Sequence, residues 1–463
     1  MIHETLQWAA EAMGGTFHGS HSGAKFTGVS TDTRTLKPGE LFFCLVGERD
    51  GHDFAARAVD QGAGCIVIDR SHQATQGSLP ATAQVLVVPD TLEALGDLAH
   101  AWRRRFSIPI LAIAGSNGKT TTKELTKCVL ETRFRVLATE GNFNNLIGVP
   151  KTLFRLDETH EVGVIEVGMN DFGELARLTR ITRPDAGLIT NIGMEHLEKL
   201  GDLAGVQKAE GELFENLGAD SVALVNHTDP RVVAIPSAAR RIPYGKSGDA
   251  VWGEVIASDW NEDRPLRLRV HAGDESTELA LHLPGPHHLS NVLAALAVGH
   301  WLKVPLAEAK AALEKFQPAP SRGQVLALKS GRRLIDDCYN ANPSSTTAAL
   351  HTLAKLSEKS QSLAVLGEML ELGAATAEGH RMVGESAGKE KIDWLMAVGP
   401  NASEILNGAR GAGMAPDRLR SFATTEEAVA SLPELGAEIQ WILVKGSRGM
   451  RLEKIVSYLK ERY

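Results

Sequence analysis

A glycine-rich hexapeptide, Gly115-Ser116-Asn117-Gly118-Lys119-Thr120, has the residue types that bind a chain of phosphates. Glycines allow backbone N–H groups to face an anion, and a helix that follows adds the positive end of its dipole. Lys119 can reach terminal phosphates, and the Thr120 hydroxyl can bind Mg²⁺. The general phosphate-loop spacing requires glycine where this chain has Ile113, so the hexapeptide is a shortened variant. We predict nucleotide binding; the alternative is a tight turn with a surface lysine.

Two further polar residues follow apolar runs that read as strands. Glu166 ends the run VGVIEV, and His196 follows the run GLIT. In open α/β sheets, ligands bind at the carboxyl ends of the strands. Mg²⁺ prefers oxygen ligands, so a carboxylate suits it better than an imidazole. Either residue alone could equally be a polar strand end, but both beside a phosphate loop indicate a metal–nucleotide centre.

The elements that must position these residues alternate between strands and helices. Hydrophobic patterning predicts strands at 110–114, 162–167 and 187–190, with helices at 120–131 and 203–217. Such alternation is typical of a parallel sheet that is covered on both faces.

The same alternation of strands and helices continues on both sides of this segment. Strands are predicted at 65–69 and 84–88 with a helix at 91–105, and strands at 333–337, 363–367, 394–399 and 440–445, each followed by a helix. Ser107-Ile108-Pro109 and the proline-containing segment 316–321 interrupt the pattern. We therefore expect three α/β domains in series, at 1–106, 107–317 and 318–463.

Composition excludes several classes of protein. The 463 residues carry a net charge of −8, which disfavours nucleic-acid binding, and the basic run Arg103–Arg105 is expected to be the solvated end of a helix. No apolar stretch is long enough for a membrane span, and the N-terminus lacks the form of a signal peptide. The four scattered cysteines form no C-x-x-C pair, and the three that sit in apolar or helical runs are expected to be small buried hydrophobes. These features predict a cytoplasmic protein.

The phosphate loop, the strand end EVGMN and the segment NIGMEH resemble the central domain of the Mur ligase family. Further segments resemble the group within that family that adds D-alanyl-D-alanine: TEGNFNNLIGVP (139–150), IDDCYNANP (335–343), LGEMLELG (366–373) and LVKGSRGMR (443–451). The stretch 29–54 is similar to the family's uridine-nucleotide-binding domain. The resemblance implies a mixed α/β N-terminal domain, a central P-loop-type ATPase domain with a parallel sheet, and a C-terminal Rossmann-like domain that binds the amine substrate and closes on ATP.

The resemblance also implies an activity. In this family a substrate carboxylate attacks the γ-phosphate of ATP, giving an acyl phosphate that an amine then attacks. The expected substrates are ATP, UDP-N-acetylmuramoyl-tripeptide and D-alanyl-D-alanine, in cytoplasmic peptidoglycan precursor synthesis, with Mg²⁺ as cofactor. The resemblance further suggests a monomer.

The family's site residues are carried over position by position. Lys119, Glu166 and His196 match its catalytic centre, and Thr120, Glu166 and His196 match its metal-binding positions. Asn144, Asn145, Asn340 and Thr33 match substrate contacts, Thr33 standing where the family usually has a serine that contacts the uridine nucleotide. The ATP-binding set is Gly115, Ser116, Asn117, Gly118, Lys119, Thr120, Thr121, Asn291, Arg322 and Asp337.

One position departs from the family pattern. Many members have a carbamoylated lysine in A-K-x-x-[LI]-F whose new carboxylate joins a second Mg²⁺, whereas this chain has Glu210 within the matching segment 209–214. Lys208 would point to a different side of the helix. Our hypothesis is that the Glu210 carboxylate replaces the carbamate. The alternative is a solvated Glu210 and one firmly held metal.

Two rival functions remain at this point. A folylpolyglutamate-synthase-like ligase would share the phosphate loop, but the 29–54, NANP and LELG segments disfavour it. A P-loop ATPase switch would hydrolyse ATP without an amine acceptor and would need switch elements that the sequence lacks.

Overall fold

The structure is a computed structural model that describes residues 2–258, 266–358 and 360–463. Its N-terminal part contains a sheet of order β2-β7-β6-β5-β4, in which β4 to β7 are parallel and β2 is antiparallel to β7. A small β1–β3 pair lies beside it. The strands are β1 Glu4–Thr5, β2 Thr16–His18, β3 Lys25–Phe26, β4 Val29–Ser30, β5 Leu41–Phe43, β6 Cys65–Asp69 and β7 Val85–Val88. The helices are α1 Leu6–Ala12, α2 Ala55–Asp60, α3 Gln73–Ser78 and α4 Thr91–Arg103, with 3-10 turns at Gly51–Phe54 and Arg70–His72.

The central part is built on a sheet of order β16-β15-β14-β13-β12-β11-β8-β10-β9. Its strands are β8 Ile110–Ala114, β9 Val136–Ala138, β10 Val162–Glu166, β11 Ala186–Ile189, β12 Val222–Asn226, β13 Arg240–Gly245, β14 Val251–Ala257, β15 Leu266–Ala272 and β16 Glu275–Leu281. Its helices are α5 Lys119–Leu130, α6 Gly148–Leu153, α7 Glu174–Thr182, α8 Leu197–Leu200, α9 Leu203–Glu215, α10 Pro230–Ala234, α11 His288–Trp301 and α12 Leu306–Leu313.

The C-terminal part contains a sheet of order β17-β18-β22-β19-β20-β21, parallel except for the edge strand β17. Its strands are β17 Gln324–Ala327, β18 Arg333–Asp337, β19 Gln361–Gly367, β20 Trp394–Val398, β21 Leu419–Phe422 and β22 Ile439–Lys445. Its helices are α13 Pro343–Leu356, α14 Thr376–Lys389, α15 Ala402–Gly411, α16 Thr425–Ser431 and α17 Glu453–Arg462. Four 3-10 turns lie at Gly373–Ala375, Pro416–Arg418, Leu432–Glu434 and Arg448–Met450.

Strand β8 shows how the apolar runs generate the core. Ile110, Ala112 and Ala114 belong to one buried cluster, while the intervening Leu111 and Ile113 belong to another on the opposite face. Because side chains alternate along a strand, a continuous apolar run is buried on both faces. The predicted α/β class is thereby confirmed, and the sheet is parallel where it carries the site. The antiparallel strands β15 and β16 extend one edge and were not predicted.

The basic run at the end of α4 is only partly solvated. Arg104 and Arg105 are exposed, as expected, but Arg103 is 5% exposed, so the prediction is wrong for this residue. Its guanidinium spans the junction between the N-terminal and central parts and lies 3.1 Å from Asp185 Oδ2. It also donates hydrogen bonds to the carbonyl oxygens of Phe106, Ile108, Thr182 and Arg183. Thr182, Arg183 and Asp185 are distant from Arg103 in sequence, which is why a local pattern missed the burial of this residue.

Arg103→Ala is expected to lower the free energy of unfolding by about 2–4 kcal/mol, because several buried carbonyl oxygens lose a charged donor. Urea denaturation followed by circular dichroism measures the effect. The neighbouring exposed Arg104→Ala is the matched control and should stay within about 0.5 kcal/mol of the wild type. Equal midpoints for the two variants would show that Arg103 does not stabilise the junction.

Other expectations from composition can be compared with the described residues. None of the helices in the described ranges has both the length and the apolar character needed to cross a bilayer. The four cysteines are free; Cys44, Cys65 and Cys338 are buried, and Cys128 is half-buried.

Candidate active site

A cavity of about 820 Å³ lies between the central and C-terminal sheets. The central wall is formed by residues that follow β8, β10 and β11, and the opposite wall by residues that follow β18, β19 and β22. Both walls therefore lie at the carboxyl ends of parallel strands, where ligands bind in open α/β sheets. The sequence-predicted residues that line it are Ser116, Asn117, Gly118, Lys119, Thr120, Thr121, Asn144, Asn145, Glu166, His196, Asn291, Arg322, Asp337 and Asn340.

The glycine-rich loop connects β8 to α5, as predicted. Gly118 caps the helix in the left-handed region at φ 79°, and a Cβ there would lie 2.5 Å from Asn291 Oδ1, so only glycine fits. The loop is braced by the segment after β11, since the Thr190 hydroxyl donates to Asn117 O at 2.7 Å and Gly193 N donates to Ser116 Oγ at 2.7 Å. The result is a preformed turn at a helix N-terminus, a position that favours an anion.

Lys119 lies among buried carboxylates. Its Nζ donates to Gly115 O at 2.5 Å and lies 3.5 Å from Glu195 Oε2. Burial alone would lower the pKa of Lys119, but the negative charges of Glu195, Glu210 and Glu166 outweigh it and raise the pKa. Burial would likewise raise the pKa of Glu195, but the Lys119 charge outweighs it and lowers that pKa. The ammonium therefore stays charged in the cavity wall.

Glu166 is 2% exposed and ends β10 beside the loop. Its Oε1 accepts hydrogen bonds from Asn144 Nδ2 at 2.8 Å and from Thr120 Oγ1 at 3.3 Å. Its buried Oε2 has no hydrogen-bond partner within the described ranges. A buried carboxylate oxygen without a partner, beside a hydroxyl, is a donor set that fits Mg²⁺.

His196 links the two walls of the cavity. Its Nδ1 lies 2.6 Å from Glu371 Oε2, and the backbone N–H of Glu198 donates to Glu371 O at 3.1 Å. The hydrogen bond from His196 lowers the pKa of Glu371 despite partial burial. Both residues adopt left-handed backbone conformations, His196 at φ 50° and Glu371 at φ 66°. Such strained residues concentrate at functional sites, and here the second ring nitrogen of His196, Nε2, lies 3.9 Å from Glu195 Oε2.

Glu210 is 1% exposed, so the alternative of a solvated helix residue is wrong. Helix α9 directs its carboxylate to the phosphate loop, where Oε2 accepts a hydrogen bond from Gly115 N at 2.8 Å. Burial and the neighbouring Glu195 raise the pKa of Glu210 well above its usual range, although Lys119 opposes the shift. Lys208 instead places its ammonium 5.4 Å from the centre of the Phe172 ring, on another side of α9 as expected.

Glu210→Gln separates the charge of this side chain from its hydrogen bond, because glutamine can still accept from Gly115 N. If the carboxylate contributes to Mg²⁺ binding, the Mg²⁺ concentration for half-maximal ATP turnover should rise several-fold while the melting temperature changes little. A Mg²⁺ titration of the wild type, Glu210→Gln and Glu210→Ala measures this. An unchanged Mg²⁺ requirement in all three would contradict a metal role for Glu210.

The remaining predicted residues differ in their surroundings. Asn145 Oδ1 accepts from the Gly148 N–H at 2.9 Å, at the start of α6. Thr122 Oγ1 donates to Asn291 Oδ1 at 3.3 Å, and Lys445 Nζ donates to Asp337 Oδ2 at 2.7 Å and Asn340 O at 3.0 Å. Thr33 follows β4 in the N-terminal part and does not line this cavity.

Several cavity residues were not predicted individually. They are Glu195, Glu371, Tyr339, Asn342, Lys445 and Arg448. Asn342 Nδ2 donates to Asn117 Oδ1 at 2.8 Å, a contact between residues far apart in the chain. Most of these residues lie inside the segments NANP, LELG and KGSR, so the motifs marked the region without identifying the side chains.

A separate cluster of Asp50, His52 and His72 lies in the N-terminal part and was also missed.

The fold and site define a protein of three α/β parts with a shortened, glycine-rich loop of the phosphate-binding type between β8 and α5. The chain matches three domain families: the Mur ligase family catalytic domain at 25–103, the Mur ligase middle domain at 113–299, and the Mur ligase glutamate ligase domain at 321–448. The chain belongs to the Mur ligase family.

Individual relatives match over the whole chain. The UDP-N-acetylmuramoyl-tripeptide–D-alanyl-D-alanine ligases of Escherichia coli and Bacillus subtilis are 36% and 33% identical, and each comparison covers 100% of this chain and 99% of the relative. A crystal structure of MurF from Acinetobacter baumannii superimposes with a TM-score of 0.88 at 30% identity, covering 100% of both chains.

Proposed function

We propose that this chain is an ATP-dependent ligase that joins D-alanyl-D-alanine to the terminal carboxylate of UDP-N-acetylmuramoyl-tripeptide in peptidoglycan precursor synthesis. The observation that carries the proposal is the cavity, in which a phosphate loop faces a second α/β wall across a space large enough for several ligands. The named activity of full-length relatives at 33–36% identity supports the same substrates. Such relatives also disfavour a folylpolyglutamate-synthase-like ligase and an ATPase switch.

The proposed reaction requires two anions to meet. The tripeptide carboxylate forms a bond to the γ-phosphorus of ATP as the bond to ADP breaks, giving an acyl phosphate. The amine of the dipeptide then attacks the acyl carbon, the amide forms, inorganic phosphate leaves and the amine loses a proton. Lys119 neutralises charge that develops on the transferring phosphoryl group, and the backbone N–H groups of residues 118–120, at the N-terminus of α5, orient it. Lys119 thus acts electrostatically and forms no covalent bond.

We propose that Thr120, Glu166 and His196 hold Mg²⁺, with Glu210 as a further ligand once it loses its proton. The ion would neutralise phosphate charge. Glu166 Oε2, which has no hydrogen-bond partner among the described residues, and His196 Nε2, which lies beyond hydrogen-bond distance of Glu195 at 3.9 Å, support these assignments. Within the protein, Glu371 fixes the His196 ring, and Asn144 fixes the Glu166 carboxylate.

The remaining assignments give each of the three parts of the chain its own substrate. We propose that residues 1–106 bind the nucleotide-sugar through Thr33, that Asn144, Asn145 and Asn340 contact substrate, and that 107–317 bind ATP. Residues 318–463 would bind the amine and close on ATP. Asn291 of the central part, with Arg322 and Asp337 of the C-terminal part, would contact the nucleotide. Since both cavity walls come from one chain, we propose a monomer. We place it in the cytoplasm, where ATP is available.

An isotope experiment tests this chemistry. The tripeptide substrate is labelled with ¹⁸O in its terminal carboxylate and incubated with ATP, Mg²⁺ and D-alanyl-D-alanine. The acyl-phosphate route moves one labelled oxygen into inorganic phosphate, which mass spectrometry detects. Unlabelled phosphate released alongside the ligated product would overturn the proposed route.

A further inference from the structure

Two arginine side chains flank Tyr339 in the cavity wall. The guanidinium carbon of Arg322 lies 3.7 Å from the centre of the Tyr339 ring, and that of Arg448 lies 5.6 Å from it. Among the described residues, neither guanidinium forms an ion pair with a carboxylate. The cavity lysines differ, because Lys119 is paired with Glu195 and Lys445 with Asp337. The two arginines are therefore the cavity cations that remain available for anionic ligands.

The two arginines have different neighbours in the cavity wall. Arg322 also lines a small cleft with Thr120 and Thr121 at the start of α5, which places it beside the phosphate-binding loop. Arg448 lies in the 3-10 turn after β22, next to the loop that follows β19. The Leu370 N–H of that loop donates to Ser447 Oγ at 3.0 Å.

The loop beside Arg448 presents an apolar surface. Leu370 lines the cavity and is 48% exposed, so it presents aliphatic surface to a ligand there. A Cβ at Gly449 would lie 3.0 Å from Leu370 Cδ1, so the two loops are in close contact. A free cation next to exposed aliphatic surface fits a small ligand that has a carboxylate and methyl groups.

We propose that Arg448 binds the terminal carboxylate of D-alanyl-D-alanine and that Leu370 contacts its methyl groups. This inference rests on the proposed function and assigns the acceptor-specificity residue of that site. An extended dipeptide spans only about 7 Å, so it can be held within the cavity with its amine directed away from Arg448. An acceptor without the carboxylate leaves the guanidinium without its ionic partner and is rejected.

Steady-state kinetics of Arg448→Ala tests the assignment. The KM for D-alanyl-D-alanine should rise by about 10- to 100-fold, which is the effect expected when a hydrogen-bonded charge pair is lost. The KM for ATP should stay within about twofold of the wild-type value. Arg448→Lys should restore part of the affinity for the dipeptide, because the lysine ammonium keeps the positive charge but lacks the two-pronged hydrogen bonding of the planar guanidinium. Arg451→Ala is the matched control, since Arg451 is exposed and lies outside the cavity wall.

A second substrate isolates the carboxylate itself. Wild-type protein should use D-alanyl-D-alaninamide at least about 10-fold less efficiently than the free dipeptide, and Arg448→Ala should use both alike. If Arg448→Ala keeps both the wild-type KM and the discrimination against the amide, the assignment is overturned while the ligase function stands. If the wild type ligates neither acceptor, the proposed function itself fails.

Discussion

Lys119→Ala should abolish ligation, with kcat/KM falling by at least about 10³-fold. Lys119 is a cation of the phosphate loop and lies between the loop carbonyl of Gly115 and the carboxylate of Glu195. Without it, the γ-phosphoryl group meets a wall rich in carboxylates, and charge in the transition state is uncompensated. Coupled detection of ADP and of the ligated product measures the loss, and binding of an ATP analogue should weaken in parallel.

The control for this variant lies on the same helix. Lys127→Ala removes a half-exposed lysine of α5 that pairs with Glu131, and its activity should stay near that of the wild type. Circular dichroism and thermal melting establish that Lys119→Ala remains folded. Ligation retained in folded Lys119→Ala would mean that residues 115–120 are not the ATP site.

Glu166→Gln is expected to have the second largest effect. Glutamine has the same size and can accept the hydrogen bond from Asn144, but it cannot supply the charged oxygen that has no partner among the described residues. We expect kcat to fall by about 10²-fold and the Mg²⁺ concentration for half-maximal turnover to rise. A Mg²⁺ titration of ATP turnover, with Mg²⁺ binding followed by calorimetry, measures both.

Strand β10 offers a matched control for Glu166. Glu161→Gln changes an exposed glutamate just before the opposite end of this strand, where it pairs with Arg135. It removes the same charge and should leave the Mg²⁺ requirement unchanged. If Glu166→Gln needed no more Mg²⁺ for half-maximal turnover than Glu161→Gln does, the assignment of Glu166 as a metal ligand would be contradicted.

Local patterns predicted the parts of the fold that depend on neighbouring residues. The strands at 65–69 and 110–114 have the predicted bounds because each is a short, mainly apolar run buried on both faces. The glycine-rich loop was recognisable because its glycines, lysine and threonine lie within one hexapeptide. Glu166 was recognisable because it ends such a run.

The unpredicted features depend on contacts between residues distant in sequence. Arg103 is buried through carbonyl groups some 80 residues away, which no helical pattern encodes. Glu371 becomes a site residue only when the C-terminal loop meets His196. Glu210 similarly gains its surroundings from Gly115, so its burial could not be distinguished from solvation on helical spacing alone.

The dependence of ADP release on both co-substrates tests the central claim most directly. Purified protein is mixed with ATP and Mg²⁺, with and without UDP-N-acetylmuramoyl-tripeptide and D-alanyl-D-alanine in all combinations, and ADP and ligated product are quantified. We expect sustained ADP release only when both are present, with equal amounts of ADP and ligated product. ADP release that is indifferent to the tripeptide and to the dipeptide would contradict the ligase function.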